Sequence, residues 1–480
     1  MAKAKKSEAT LTLEEKLEQA LVAADEQPYK VPDNWCWVKL NCMSKAISKG
    51  TTPTGGRAAY QNVGVAFLRV ENINDDGTIS HENIACINED THKNFLKRSI
   101  LNDKDVLVSI AGTLGKTGIV REIDLPLNTN QAIAFIRLIS DVASERYIKY
   151  AIDAPIIQRL LLSQTKVTAI PNLTLKAISN CPMPLPPISE QQRIVNHIET
   201  FFSKLDEVKE NVQNVIDGFE NRKSAILHKA FNGELSAKWR KEKNKYLNDW
   251  EIKTIGNIAD VKGGKRVPKG MTLTSYDTGH PYIKAGNLKN GTVIDDEMMY
   301  VPDDVLPHIK KYTVNSGDVY ITNVGACIGD CGIIPAKYDG ANFTENAVKI
   351  INYICNGEYL ALYLTCSTVQ QKLKELTASA TLGKLSIAKI KTIKIKLPSL
   401  EEQIEIVSII KRLFALNQLY KEKAEDVLER IELIKKSILA RAFRGELGTN
   451  NPDEESSVEL LKMVLSEDKD AKINSKSKSK

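Results

Sequence analysis

Two short loops carry side chains suited to gripping nucleic acid. The first reads Lys49-Gly50-Thr51-Thr52-Pro53-Thr54-Gly55-Gly56-Arg57, and the second Lys262-Gly263-Gly264-Lys265-Arg266-Val267-Pro268-Lys269. Glycine lets backbone amides approach a phosphate, Lys and Thr donate to phosphate oxygens, and Arg can read a guanine edge bidentately. The candidate contacts are Lys49, Thr51, Thr52 and Arg57 in the first loop and Lys265, Arg266 and Lys269 in the second. A further candidate pair, Lys166 after Thr165 and Lys384 after Gly383, follows a helical stretch in each half of the chain. A solvated charged turn explains any one of these residues equally well, so the argument rests on their recurrence.

Catalytic patterns are missing. Gly115-Lys116-Thr117 resembles the end of a phosphate-binding loop, but Ile110 stands where its first glycine is required, and the counterpart Gly329-Asp330-Cys331 has no lysine. The Asn/Asp-Pro-Pro-Tyr/Phe tetrapeptide of amino-group methyltransferases is absent, with Asn451-Pro452-Asp453 its nearest approach. The six histidines form no triad, and the eight cysteines show no Cys-x2-Cys pair beside a histidine. The expectation is a chain with no catalytic residue and no metal site.

What positions the loops is a segment used twice. Leu185–Leu235 runs from Pro186 through Glu190-Gln191 to Phe231-Asn232-Gly233-Glu234-Leu235. Leu397–Leu447 runs from Pro398 through Glu402-Gln403 to Phe443-Arg444-Gly445-Glu446-Leu447. The offset, 398 minus 186 and likewise 447 minus 235, is 212. Loops tolerate length drift, so this constancy predicts rigid helices whose length matters. Ser189 with Gln192 and Ser399 with Glu402 offer capping boxes, and Gly233 and Gly445 offer left-handed stops.

A heptad runs through both segments. The predicted seam includes Ile194, Ile198, Phe201, Leu205, Val212 and Phe219 in the first helix. In the second it includes Ile406, Ile410, Leu413, Asn417, Ile431 and Ile438. Asn417 is a polar residue of the kind that fixes register. About 44 residues at 1.5 Å each give a rod of about 66 Å, near two DNA turns of about 34 Å. An antiparallel pair would set the preceding domains at opposite ends of the rod; a parallel pair would set them side by side.

The stretches ahead of the helices repeat in diverged form. Phe67-Leu68-Arg69-Val70-Glu71-Asn72-Ile73 answers to Tyr282-Ile283-Lys284-Ala285-Gly286-Asn287-Leu288, and Tyr147 and Gln158 return as Tyr359 and Gln370. Candidate strands in the first copy are Val63–Val70, Asp105–Ile110, Gly118–Val120 and Ala132–Leu138, with one helix over Ser144–Ser163. The predicted fold class is α+β: two globular domains in tandem, each followed by a long helix. Thr12 with Glu15 should cap a short helix ending near Asp25.

The chain divides into an N-terminal segment (1–34), a first domain (35–187), a first spacer helix (188–235) and a charged linker (236–248). A second domain (249–399), a second helix (400–447) and a polar, disordered tail (448–480) complete it. With 480 residues, 42% hydrophobic and 26% charged, this is an ordinary globular composition. The net charge of +6 permits nucleic-acid binding without requiring it. No run of about 18 apolar residues and no signal-peptide core is present, which predicts a cytoplasmic protein with reduced thiols and no membrane span.

The twin segments Pro-Pro-Ile-Ser-Glu-Gln-Gln-Arg-Ile-Val (186–195) and Pro-Ser-Leu-Glu-Glu-Gln-Ile-Glu-Ile-Val (398–407), with the twin Phe-x-Gly-Glu-Leu closures, resemble the specificity subunit of type I restriction–modification systems. The resemblance implies two target recognition domains and two antiparallel helices forming a coiled coil with pseudo-two-fold symmetry. Each domain would read one half of a split, asymmetric double-stranded DNA site, with the gap set by the helices. Such a subunit is not an enzyme. It directs adenine methylation and restriction by partners: two methylation subunits bringing S-adenosylmethionine, and restriction subunits using ATP and Mg. A specificity subunit of another methylation–cleavage system, or a coiled-coil scaffold that touches no DNA, is the alternative.

Overall fold

The computed structural model describes residues 12–164, 171–378 and 384–466. They form two compact units: one of residues up to Glu210 together with those from Leu428 onward, the other Asn211–Val427. Each unit therefore combines one domain, the base of its own long helix, and the far end of the other.

In the first unit, a four-stranded antiparallel sheet runs in the order Ser44–Lys49, Ile133–Leu138, Val106–Ser109, Thr117–Ile119. A three-stranded sheet places Val65–Leu68 between Ala85–Ile87 (antiparallel) and Leu127–Thr129 (parallel). Cys36–Lys39 pairs with Pro182–Leu185 and so ties the start of the domain to its end. The second unit repeats the plan. Its four-stranded sheet is Asp260–Gly263, Ala347–Ile351, Val319–Thr322, Cys331–Ile333, and Pro281–Ile283 lies between Met299–Tyr300 and Asn342–Phe343. Glu251–Thr254 pairs with Lys394–Leu397. The four strands expected in the first domain are present, three trimmed by one or two residues at one or both ends and the third in sequence shifted one residue earlier, to Thr117–Ile119.

The helices differ from expectation in identifiable ways. The stretch 144–163 is two helices, Glu145–Asp153 and Pro155–Ser163, because Pro155 cannot continue a helix but is well placed to start one. The first long helix is likewise two pieces, Ile188–Asp217 and Phe219–Phe231, separated at Gly218. There Arg222 folds back, donating to the Val215 carbonyl (2.5 Å) and to Asn417 Oδ1 (2.7 Å). A Cβ on Gly218 would stand 2.6 Å from Arg222 Nη1. The second long helix is unbroken from Leu400 to Ala442. Thr12 and Glu15 do form a capping box, but their helix stops at Ala20, since Leu21 and Val22 turn to bond beside Trp37 and Val38.

Within each unit the two helices run antiparallel. Lys435 lies against Asp206 (2.5 Å) and Lys209 against Glu432 (2.8 Å) in the first; Asn417 Nδ2 donates to the Phe219 carbonyl (3.1 Å) in the second. Eleven of the twelve seam residues named from the sequence are at least half-buried. Ile194, Ile198, Phe219, Ile406, Ile410, Asn417 and Ile431 are buried, and Leu205, Val212, Leu413 and Ile438 are half-buried. Phe201 is 41% exposed, and its heptad equivalents Val208, Val215, Tyr420, Val427 and Ile434 are also open. The open positions lie along the middle of the helices, whereas Ile194 and Ile406, one heptad before Phe201 and Leu413, are fully buried against the domains' cores.

The chain around both closures is packed rather than loose. The expected linker contains a helix, Ala237–Glu242, with Arg240 buried. The expected disordered tail contains a helix at 457–466; Leu461 is fully buried, Ser457 donates to the Asn34 carbonyl (3.1 Å), and Glu454 forms a two-pronged pair with Arg193 (2.8 Å each). These turns escape a composition-based reading because their few apolar residues are spaced among charges. Among the described residues no helix is long and apolar enough to cross a membrane.

Candidate nucleic-acid interface

The twin Glu-Gln pairs that open the long helices are buried latches. Gln191 donates to the carbonyls of Val142 (2.8 Å) and Pro186 (3.1 Å) and accepts from Ser144 N–H (3.2 Å). Gln403 donates to Pro398 (2.8 Å) and accepts from Asn356 N–H (2.8 Å). Tyr147 and Tyr359 add hydroxyl bonds to Pro184 and Lys396 carbonyls, 2.7 Å each. Each domain is thus fastened to its own helix by the same buried polar groups. Gln192 bonds Asn196 (2.8 Å) and Glu402 turns inward, so neither expected capping box forms.

The glutamates have different partners. Glu190 accepts from Trp35 Nε1 (2.8 Å) and Thr449 Oγ1 (3.2 Å). Glu402 accepts from Trp250 Nε1 (3.0 Å), Ser236 Oγ (2.8 Å) and the buried Arg240 guanidinium (2.6 Å). Burial holds the Glu190 carboxyl above its ordinary 4.5, against those two hydrogen bonds. A raised carboxyl stabilises the fold below its unfolded value, and this contribution is lost as pH rises through the folded one. The Glu190→Gln variant should therefore gain stability relative to the natural chain as pH rises through that window. Thermal melts across it check this; a difference that does not move with pH refutes it.

The closures are crossed. Phe443, at the end of the second helix, packs on Tyr147 of the first domain (ring centroids 5.3 Å apart), and Phe231, at the end of the first, packs on Tyr359 of the second (5.4 Å). Gly233 and Gly445 have φ of 81° and 75°, and the following N–H groups of Glu234 and Glu446 bond back to Lys229 and Arg441 carbonyls (2.9 Å each). One ion pair between domain and own helix is reversed between the copies: Arg146–Glu199 (3.3 Å) in the first unit, Glu358–Lys411 (2.5 Å) in the second.

On this frame the candidate loops start alike. Lys49 ends its strand, exposed, and Gly50 presses on the carbonyls of Thr129 and Asn130; a Cβ there would stand 2.2 and 2.1 Å from them. Gly264 meets the Phe343 and Thr344 carbonyls at the same distances, so only glycine fits at either place. Thr51 N–H bonds Thr129 O (3.1 Å), Thr52 bonds Gln131, and Lys265 N–H bonds Phe343 O (2.9 Å). Beyond these anchors the copies diverge. Arg57 stands in the short turn Gly56–Ala59. Lys265 Nζ lies 5.7 Å from the Tyr312 ring centroid, exposed Arg266 holds Glu345 (2.6 Å), and Lys269 is exposed.

Lys384 is exposed and adjoins Leu385, whose N–H bonds Asn323 O (3.0 Å); Asn323 N–H in turn bonds Asn346 O (2.9 Å), beside Glu345. Lys166 lies outside the described residues. Lys116, by contrast, is held by Asp75 (3.0 Å), Thr117 donates to Asp153 (2.6 Å), and Gln158 caps the Gly115 carbonyl (2.8 Å), so this turn is internal scaffolding. Sequence reasoning passed over two basic dipeptides near the loops, Lys97-Arg98 and Lys310-Lys311. Their signal was adjacent cations at nearly the repeat offset.

Similarity to known proteins follows this geometry. The type I restriction modification DNA specificity domain matches residues 32–217 and 248–430. The chain is 31% identical over 257 residues to the Type I restriction enzyme EcoBI specificity subunit of Escherichia coli, covering 52% of this chain and 53% of that relative, or about half its length. It is 23% identical to the MjaVIII specificity subunit of Methanocaldococcus jannaschii, covering 88% of this chain and 95% of the relative. The crystal structure of the HsdS subunit from Thermoanaerobacter tengcongensis has a similar fold, with a TM-score of 0.58 at 19% identity, over 88% of this chain and all of that one.

Proposed function

Since the chain belongs to the type I restriction modification DNA specificity domain family, matched twice along its length, we infer that it is a non-catalytic DNA-reading subunit. Each domain reads one half of a bipartite, asymmetric double-stranded site, and the helices set the gap. The observation that carries this reading is the contrast within the repeat. The latches and the glycine-pinned loop bases are kept between copies, whereas the loop tips carry different chemistry. Equal frames with unequal tips suit two different half-sites of one duplex.

Chemistry then belongs to partners. Methylation subunits, two in number, bring S-adenosylmethionine, and restriction subunits bring ATP and Mg. The open apolar column gives the methylation subunits a place to dock: Phe201, Val208 and Ile434 in the first unit, Val215, Tyr420 and Val427 in the second. Mapping methylated bases on single DNA molecules from cells with and without this gene tests the role. Replacing residues 35–187 with another recognition domain is expected to change one half-site and leave the other; a change in both overturns the modular reading.

A further inference from the structure

Each unit keeps a buried asparagine on the short strand beside its candidate loop. With its amide nitrogen facing the carbonyls, Asn128 donates to Leu96 O (3.3 Å) and Ser99 O (3.0 Å), and its oxygen accepts from His92 Nδ1 (2.8 Å). Asn342 donates to Ile309 O (2.9 Å) and Tyr312 O (3.5 Å). Bridges from Ile100 to Asn128 and from Thr313 to Asn342 complete the match. In both units one amide thus staples the two ends of a four-residue turn whose first residue, Leu96 or Ile309, is buried.

The crests of these turns are Lys97-Arg98 and Lys310-Lys311, all four exposed. Among the described residues none of the four is ion-paired to a carboxylate, whereas Arg266 in the second loop holds Glu345. Two adjacent cations on a pinned turn repel each other unless an anion lies across them. The turns also adjoin the candidate loops: Phe343 takes its N–H to Tyr312 O (3.0 Å) and its carbonyl to Lys265 N–H (2.9 Å). A feature kept by both copies while the loop tips diverge suits the part of DNA that does not change with sequence.

The geometry points to the turns at Lys97-Arg98 and Lys310-Lys311 as matched phosphate clamps. They grip the duplex backbone and leave base reading to the loops. This rests on the reading of the chain as a DNA-binding subunit. The test uses the full chain and a long duplex of mixed sequence, with affinity measured across a salt series. Each neutralised phosphate contributes about 0.9 to the logarithmic salt slope. The Lys97→Gln/Arg98→Gln variant should lower that slope by about 1.8, and Lys310→Gln/Lys311→Gln by the same amount. The weakening should be equal on duplexes of unrelated sequence.

Circular dichroism melts matching the natural chain confirm that these surface changes leave the fold intact. If the natural chain binds with a salt slope that neither variant lowers, the clamps are refuted and the DNA-reading function stands. A natural chain without salt-dependent duplex binding overturns both. A variant that weakens binding to some sequences and not others also refutes the clamps, because it marks base readers.

Discussion

Arg240→Leu is expected to destabilise the second unit by about 3–5 kcal/mol. Arg240 is 7% exposed, and its guanidinium serves four groups at once. It donates to Glu402, to Ser236 Oγ (2.7 Å) and to the carbonyl of Gly233, and it lies 5.6 Å from the Trp250 ring centroid. Removing it leaves the Glu402 carboxylate, 2% exposed, without its counter-charge, and an uncompensated buried charge is far costlier than a lost pair. The double variant Arg240→Leu/Glu402→Leu should recover much of the loss, since two apolar side chains can replace a buried pair at little cost. Denaturant unfolding of the full chain, with hydrogen exchange locating the change to residues 211–427, checks both. A single variant costing under about 1 kcal/mol would sink the argument.

The second large effect is on DNA. Inserting about four residues after Glu210 and after Val427, at the borders of the two compact units, should lengthen the gap between half-sites while each half-site keeps its sequence. Four residues add about 6 Å of helix rise and about 40° beyond a full turn, close to two base pairs at about 3.4 Å. The insertions lie away from the Glu190, Glu402, Phe231 and Phe443 contacts that fasten each domain. Methylation mapping with the partner subunits present reads the result directly; an unchanged gap would falsify the helices' role in spacing.

Much of this architecture was legible because it is periodic or duplicated. The 212-residue offset located both long helices, and the Glu-Gln and Phe-x-Gly-Glu-Leu landmarks turned out to be the buried latches and crossed closures. The polar partners were not legible. Nothing in the composition of 236–248 or 448–466 announces that Arg240 neutralises Glu402 or that Glu454 holds Arg193, because both contacts join residues far apart in sequence. The heptad predicted a continuous apolar seam, and its middle positions Val208, Val215, Tyr420 and Val427 are open instead, because a pattern of apolar residues cannot say how many partners will bury it. At the loops, Gly50 and Gly264 were visible as glycines, but their near-contact with carbonyls 79 and 80 residues away was not. The basic turns escaped because their staples, Asn128 and Asn342, are individually unremarkable.

The reversed ion pair bears on how such a subunit can be recombined. A cut at residue 187 transplants Arg146 without Glu199, and a second domain moved to the first position would bring Glu358 against Glu199, two carboxylates in place of a pair. An exposed pair of this kind is worth roughly 0.2–1 kcal/mol, and its reversal costs a similar amount. That suffices to bias which domain seats cleanly on which helix. The transferable cassette is therefore a domain together with the first three turns of its helix, through Glu199 in one copy and Lys411 in the other. Grafts made with that boundary should exchange specificity with their docking charges already matched.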